Sequence, residues 1–567
     1  MPTRAEMWER LGSEVDVLIV GGGVTGAGVA RDAARRGLTV ALVEQDDLAY
    51  GTSSRSSKLV HGGLRYLETY EFGLVFESVS ERRILMDLAP HLVNPLGFVF
   101  PVYEGSKHNL FIINAGMWLY DGLSLFRSPK IHRKLKPAEV AELEPTLRQE
   151  GLEGAPLYYD CSTDDARLTL ETALDAAEEG AVIATYARVV RFLEDDSGRV
   201  SGAVVKDRVS GEEKAIRAHA VVNATGPWTD RTLAMGRAAD EPVPKHGLLR
   251  PTKGVHVVVD AEKLPVQHAV VCFHPEDSRV LFAIPWGDRT YIGTTDTDYQ
   301  GDPGEVAASA EDVDYLLEAA NTYFPDHALA PADVISTWAG LRPLMAPPGE
   351  DQGDSVDESA VSREHRIMVG RGGLITIAGG KLTTYRRMAA EVTDTVVRLL
   401  RISGHLPEDL SDPRTDSAPL VGAVGWPEDD DHAAVAAKVR AASGDTLPED
   451  VARHLTDSYG MRALTLAELC RSDATLAERL IPGRPEIAVQ IVWAVKEELA
   501  ASLSDVMIRR TQVYYRDHDQ GLSVIDSVAA RMAELLGWDD ARRAQEVAHY
   551  RADVARSRAW RERDAAS

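Results

Sequence analysis

The tightest constraint on this chain lies near its start. Val15-Asp16-Val17-Leu18-Ile19-Val20 is a β-branched, apolar run of the kind buried in a parallel sheet. Gly21-Gly22-Gly23-Val24-Thr25-Gly26 follows, then an alanine-rich stretch to Arg36-Gly37 and a second apolar run, 39–43, that stops at Glu44. This order predicts a strand–helix–strand unit. Glycines at 21, 23 and 26 permit a tight turn and close backbone approach to a pyrophosphate, which then faces the positive end of the helix. Glu44, 18 residues past Gly26, stands where a carboxylate bonds ribose hydroxyls, and favours a ribose without a 2′-phosphate. The unit fixes an α/β class for the first domain. It does not separate a nicotinamide from a flavin dinucleotide.

The 567 residues suggest three or four domains at about 150 residues each. A net charge of −26 repels phosphate backbones, so no nucleic-acid partner is expected. The three cysteines (161, 272 and 470) are far apart, which excludes a disulfide framework, argues against a cysteine-held metal and fits a reducing compartment. The first 16 residues carry charges throughout, and no run of about 18 apolar residues follows, so neither a secretory leader nor a spanning helix is expected. Further strands are expected at 182–184, 188–192, 200–205, 220–223, 255–259, 280–284, 291–293 and 374–378, a linker at 403–430, and helices from 431 onward. The architecture read from this is a Rossmann-like parallel-sheet domain (12–70, 150–240 and 340–400). An antiparallel β cap (71–149 and 241–339) interrupts it, and an all-helical C-terminal domain (405–567) follows. Such a tail packs or dimerises, so a homodimer stays open.

Four further segments separate the two dinucleotides. Gly51-Thr52-Ser53-Ser54-Arg55-Ser56-Ser57-Lys58 is rich in hydroxyls, and His61-Gly62-Gly63-Leu64-Arg65-Tyr66 follows it. Far downstream come Asn223-Ala224-Thr225-Gly226-Pro227-Trp228 and Gly379-Gly380-Lys381-Leu382-Thr383-Thr384-Tyr385-Arg386. A flavin stretched through a protein draws contacts from separated segments like these, which points to FAD. The expected cofactor contacts are Gly21, Gly23, Gly26, Glu44, Thr52, Ser53, Ser57, Lys58, His61, Gly62, Gly63, Thr225, Gly226, Gly380, Lys381, Leu382 and Thr383.

On these segments, together with Gly293-Thr294-Thr295-Asp296 and Ala339-Gly340-Leu341-Arg342-Pro343-Leu344, the chain resembles the flavin-dependent, respiratory-type glycerol-3-phosphate dehydrogenases of the D-amino-acid-oxidase-like superfamily. The resemblance covers nearly the whole chain. It implies FAD, oxidation of sn-glycerol 3-phosphate at C2 to dihydroxyacetone phosphate by hydride transfer, and a membrane quinone as acceptor. It assigns His256, Lys381 and Arg65 to catalysis, and Arg65, Tyr66, Arg342, Arg363 and Lys381 to the substrate. Those types suit the chemistry, because a secondary alcohol needs a base and a dianionic phosphate needs forked cations. Lys253 and Lys381 both stand in glycine-containing turns. Members of the family often carry a small polar residue before the histidine; here it is Val255. Two other readings stay open. An oxidase passing electrons to oxygen carries a large insertion not found here. A flavin-holding protein without catalysis is expected to have a degraded site, whereas Arg65, His256, Arg342 and Lys381 are all present.

Residues 106–136 stand out against the acidic whole, with Lys107, Arg127, Lys130, Arg133, Lys134 and Lys136 against Asp121 alone. The apolar, aromatic-bearing stretch 110–126 reads as a helix with a polar stripe of Asn114, Asp121 and Ser124. That pattern predicts an interfacial helix on an anionic membrane surface, with the protein cytoplasmic and peripheral to the inner face of the cell membrane.

Overall fold

A computed structural model of the chain describes residues 1–64, 70–107, 109–124, 129–236, 247–346, 365–370 and 372–565. Arg65, Tyr66, Arg127 and Arg363 lie outside the described residues.

The opening run forms the strand Glu14–Val20 at the centre of a parallel sheet. Across that sheet the order is Arg366–Val369, Ile375–Ala378, Glu213–Asn223, Glu14–Val20, Val40–Val43 and Val182–Ala184. The first of these strands runs antiparallel to its neighbour, and the rest are parallel. Alternation sorts the central strand's side chains to opposite faces. Val17 and Ile19 pack under the helices Val24–Arg35, Asp165–Glu178 and Tyr385–Ser403, and Leu18 and Val20 face the antiparallel strands Ala187–Glu194 and Val200–Asp207. Both faces are covered, which is why this strand is an uninterrupted apolar run.

The second sheet is mostly antiparallel. Its order is Thr297–Asp298, Leu249–Asp260, Arg289–Gly293, Val280–Trp286, Ala269–Phe273, Val93–Val99, Leu152–Thr163 and Leu59–Val60. Ser336–Met345 pairs with Leu249–Asp260 along ten residues. Three boundaries therefore differ from those read in the sequence. Leu59–Val60, Leu152–Thr163 and residues 340–345 of the strand Ser336–Met345 belong to this sheet, although the sequence reading put them in the parallel-sheet domain. Leu152–Thr163 pairs along most of its length with Val93–Val99, more than fifty residues earlier, and no local periodicity encodes such a pairing. Lys253 also departs from expectation: it lies within a strand and its Nζ pairs with Asp312 at 2.6 Å.

The C-terminal helices fall into two groups. One has its own core, built on Val439, Leu455, Tyr459, Leu466 and Trp493. The other, with Tyr514, Tyr515, Ile525 and Val528, packs against Tyr291 and Trp338 of the second sheet. A buried ionic junction ties this region to the parallel-sheet domain. Asp47, just past the fingerprint carboxylate, takes Arg509 at 2.6 Å and Arg510 at 2.8 Å. Burial alone raises a carboxyl's pKa, but here the Arg510 and Arg509 guanidinium groups hold Asp47 below its ordinary range. Asp47→Ala removes the carboxylate that two buried guanidinium groups share, leaving Arg509 to Asp505 and Arg510 to Glu498. We expect it to destabilise the protein by roughly 3–5 kcal/mol, read as a lower thermal midpoint and earlier FAD release in a flavin-fluorescence melt.

Candidate active site

The fingerprint glycines are required by shape. Gly21 has φ +114°, and a Cβ there falls 2.6 Å from the Ala224 carbonyl oxygen. A side chain at Gly26 collides with the Gly21 carbonyl oxygen. The helix Val24–Arg35 begins at Gly23 with no side-chain cap, and Ser53 Oγ accepts the Val24 N–H at 3.0 Å. Its first turn thus presents backbone donors, the cradle a pyrophosphate fits. Glu44 is enclosed at the end of the next strand, accepting N–H groups from Gly22 at 2.6 Å and Asp46 at 2.9 Å. Burial, and the neighbouring charge of Asp46, push its carboxyl up to about 7. Thr225 and Gly226 sit beside this turn, the Thr225 hydroxyl donating to Asn223 at 2.7 Å.

From here a cavity of ≈ 1280 Å³ runs across the face of the second sheet. Thr52, Ser53, Ser57, His61, Gly63, Gly380, Lys381, Leu382 and Thr383 line it together with His256 and Arg342. The loops at 61–63 and 380–384 are cross-tied: Thr383 Oγ1 accepts the His61 N–H at 3.1 Å and donates to the His61 carbonyl. Gly62 donates to Asp160 at 3.0 Å, and Tyr120 donates to the same carboxylate oxygen at 2.8 Å. Gly380, at φ +90°, brings Lys381 to the foot of the helix Tyr385–Ser403.

His256 is buried in the wall of this cavity. Its ring stacks on Trp338 at 4.6 Å and 13°, and its Nε2 lies 3.0 Å from Ser57 Oγ. Nδ1 is buried without a hydrogen-bond partner among the described residues. A side chain at Gly293, on the adjacent strand, would strike the imidazole, so that glycine makes the room. Burial, then the charges of Arg342 and Lys58, hold the His256 pKa well below its ordinary value. The imidazole is neutral at physiological pH and can take a proton.

Arg342 is held by Asp296 at 2.8 Å, by Thr294 Oγ1 at 3.2 Å and by the Thr295 carbonyl at 3.1 Å. The segment at 294–296, to which the sequence assigned no role, is its holder. Lys58 differs from expectation. With φ +53° its side chain turns into the protein, where Nζ bonds Asp165 at 2.6 Å among the rings of Trp338, Tyr515 and Trp286. That ammonium group stands behind His256, held by Asp165. Ser57 serves the histidine. Sequence reasoning missed Trp338 and Asp165 and gave Asp296 no role; the only signal was that the Gly-Thr-Thr-Asp run at 293–296 belongs, with the Arg342 motif, to the segments that carry the family resemblance.

The helix Leu110–Leu123 closes one side of the cavity through Ile112, Ile113, Gly116 and Met117. Its expected polar stripe points inward: Asp121 is buried against His132 Nδ1 at 2.7 Å, and Ser124 is buried too. Its outward face is apolar, with Phe111 80% and Trp118 59% exposed.

Residues 16–386 match the family described as FAD dependent oxidoreductase, and residues 413–543 match the C-terminal domain of alpha-glycerophosphate oxidase. The aerobic glycerol-3-phosphate dehydrogenase of Staphylococcus epidermidis is 38% identical over 93% of this chain and 92% of its own length. The structure of the glycerol-3-phosphate dehydrogenase from Bacillus halodurans, complexed with FAD, superposes with a TM-score of 0.79 at 32% identity, covering 98% of this chain and 97% of that one. The L-alpha-glycerophosphate oxidase of Mycoplasma pneumoniae shares the fold, with a TM-score of 0.52 at 18% identity over 72% of this chain and 98% of that one. The glycine cradle, the enclosed Glu44 and the cavity beyond them suit the dinucleotide and ring of FAD. The chain belongs to the FAD-dependent oxidoreductase family and, within it, to the aerobic glycerol-3-phosphate dehydrogenases.

Proposed function

We propose that the protein oxidises sn-glycerol 3-phosphate at C2 to dihydroxyacetone phosphate and passes the electrons to a membrane quinone. The observation that carries this reading is a neutral, buried His256 facing the same cavity as Arg342 and Lys381. Bound FAD supplies the acceptor for the hydride leaving C2. His256 takes the C2 hydroxyl proton as the carbonyl forms, and Lys381 polarises the C2 oxygen. Arg342, fixed by Asp296, presents a forked cation to the phosphate. Arg65, Tyr66 and Arg363 complete the grip in this reading. Gly21, Gly23, Gly26, Glu44 and the lining hydroxyls hold the cofactor.

The apolar outer face of Leu110–Leu123, beside exposed Lys130, Arg133, Lys134 and Lys136, supports docking on an anionic membrane surface. Each base near such a surface contributes about 1 kcal/mol. No helix among the described residues is long and apolar enough to cross a membrane. The match of residues 413–543 to an oxidase's C-terminal domain favours, as a second reading, oxygen as the acceptor.

Adding sn-glycerol 3-phosphate without oxygen should bleach the flavin, and readmitted air should yield little peroxide; stoichiometric peroxide would select the oxidase. His256→Ala should slow bleaching by about 10²–10⁴-fold with little change in substrate affinity. Because the folded-state imidazole gains its proton only well below its ordinary pKa of 6.5, the wild-type bleaching rate should hold its plateau as pH falls through that value.

Arg342→Ala should raise KM for the phosphate ester strongly while turnover of plain glycerol, a poor substrate, stays nearly the same. Equal losses for both would remove Arg342 as a phosphate ligand.

Liposomes containing anionic lipid should sediment the wild type at low salt and release it at high salt. A variant with Arg127, Lys130, Arg133, Lys134 and Lys136 changed to Gln should stay in solution.

A further inference from the structure

We infer that Arg279 is a positioning residue for Arg342: by clamping the main chain of Asp296, whose carboxylate holds Arg342, it sets how tightly the cavity grips a phosphate. The inference rests on the proposed grip of Arg342 on the substrate phosphate and adds a residue that acts through it.

The need for a clamp follows from the sheet register. The strand Leu249–Asp260 pairs His256 with Gly293 and Lys253 with Thr297. Two residues, Gly254 and Val255, therefore stand opposite three, Thr294, Thr295 and Asp296. The extra residue makes a bulge, which takes backbone groups out of the ladder and leaves them to other partners. Side chains supply those partners. Thr295 Oγ1 accepts the Val255 N–H at 3.0 Å, and the Thr295 carbonyl accepts Arg342 Nη2 at 3.1 Å. The Asp296 carbonyl accepts Arg279 Nη1, while the Asp296 carboxylate takes Arg342 Nη1 at 2.8 Å. Gly254 lets the bulge close down on Arg342, because a Cβ there would fall 2.7 Å from both Arg342 Nη2 and Thr294 Oγ1.

The same register places Arg279. On the strand Val280–Trp286, Phe282 pairs with Gly293, Ala283 with Ile292 and Ile284 with Tyr291. Arg279 lies three residues before Phe282, and Asp296 lies three after Gly293. Extended past its last pair, the antiparallel ladder sets these two residues opposite each other. Main-chain pairing has stopped there, and the guanidinium spans the gap. The hairpin that presents it is fixed in turn. The His274 N–H donates to the Arg279 carbonyl at 2.9 Å, and the Arg279 N–H donates to the Asp277 carboxylate at 3.0 Å. That carboxylate also accepts the Tyr315 hydroxyl at 2.9 Å, and the buried His274 ring stacks on Tyr315 at 3.7 Å. Arg279 thus reaches Asp296 from a preset position.

Arg342 must aim both prongs of its fork at one place to hold a dianion. Asp296, Thr294 and Thr295, which hold it, all belong to the bulge, so a bulge free to shift carries the guanidinium with it. Misplacing a positioned group by about 1 Å costs on the order of 10²-fold. Arg279, Asp296 and Arg342 all line the one cavity, but Arg279 is the less suited to grip a ligand by charge. Its side chain is 38% exposed, with Nε 3.3 Å from the Asp277 carboxylate, so solvent and that carboxylate screen it. Its effect on a bound phosphate is mechanical and passes through Asp296.

The test is a double-mutant cycle on the FAD-loaded protein, with Arg279→Met, Arg342→Ala and both together. Two readouts are taken: the concentration dependence of anaerobic flavin bleaching by sn-glycerol 3-phosphate, and calorimetric binding of inorganic phosphate. Arg279→Met should raise both half-saturation concentrations about tenfold while the limiting bleaching rate stays within about twofold. Bleaching by plain glycerol should not change. Arg279→Lys, which keeps a charged donor for the carbonyl, should recover part of the loss. In the Arg342→Ala background, Arg279→Met should add less than about twofold, because nothing is left for it to aim. Full multiplication of the two losses would overturn the inference and make Arg279 a phosphate ligand in its own right; unchanged affinities in Arg279→Met would overturn it too. Should Arg279→Met lose its FAD, the cycle run with Arg279→Lys reads the same coupling through a smaller loss. Phosphate binding that follows the cycle, in a protein whose flavin sn-glycerol 3-phosphate does not bleach, would keep the clamp and discard the substrate. A wild type that neither bleaches nor binds phosphate would remove both.

Discussion

The carboxylate of Asp165 is the point on which the site depends. Entirely buried, it accepts from the backbone N–H of Ser56 at 3.0 Å, the Ser56 hydroxyl at 2.7 Å, Lys58 Nζ at 2.6 Å and the Ala166 N–H at 2.9 Å. These bonds pin both neighbours of Ser57. Ser57 then has one conformation to offer: its hydroxyl meets His256 and its carbonyl accepts from Tyr291 at 2.9 Å. The Ser56 carbonyl accepts the Trp338 indole N–H at 3.1 Å, which sets the ring on which His256 stacks. Tyr515 of the C-terminal region stands against Trp338 at 5.5 Å. Thus one carboxylate at the start of a helix under the parallel sheet orients a base in the antiparallel sheet, and the helical tail closes the arrangement from behind.

The same logic explains why charges are buried so freely here. Arg82 with Asp160, Arg31 with Asp175, and Arg167 with Glu498 join segments far apart in sequence. Burying such pairs gains little net stability over apolar packing, but leaving either partner alone is costly. Each pair therefore penalises any arrangement that separates its segments. Two of them bear directly on the cavity or its tail: Asp160 shapes the loop at 62–63, and Glu498 fixes the C-terminal region next to Arg510.

What the sequence made legible was whatever physics writes locally. The glycine fingerprint, the apolar central strand and Glu44 are short-range patterns; the fold forms the expected strand, turn and helix and sets Glu44 at the end of the next strand. Residue by residue, the candidate site was legible only through motifs: His256, Arg342 and Lys381 line one cavity. The buried role of Lys58 was not legible, because a lysine behind serines reads the same whether it points to solvent or to Asp165. The allegiance of 152–163 was not legible either, since an apolar strand carries no label for its partner. The helix at 110–123 was read with the right periodicity, but its polar stripe serves His132 and the interior, which leaves the apolar face outside.

Electrostatics links the shape of the site to its timing. Arg342 and Lys58 both lower the proton affinity of His256, after the larger effect of burial. Lys58 is already neutralised by Asp165, and it acts constantly. Arg342 faces the cavity, and in the proposed reaction a dianionic phosphate settles against it. The phosphate adds negative charge beside an Arg342 that Asp296 already partly offsets, so in that reaction the imidazole becomes a stronger base when the substrate is seated. When the product departs with its phosphate, the uncovered Arg342 charge again disfavours the imidazolium and drives the proton off. In the proposed reaction the cation that grips the substrate therefore also arms the base and resets it.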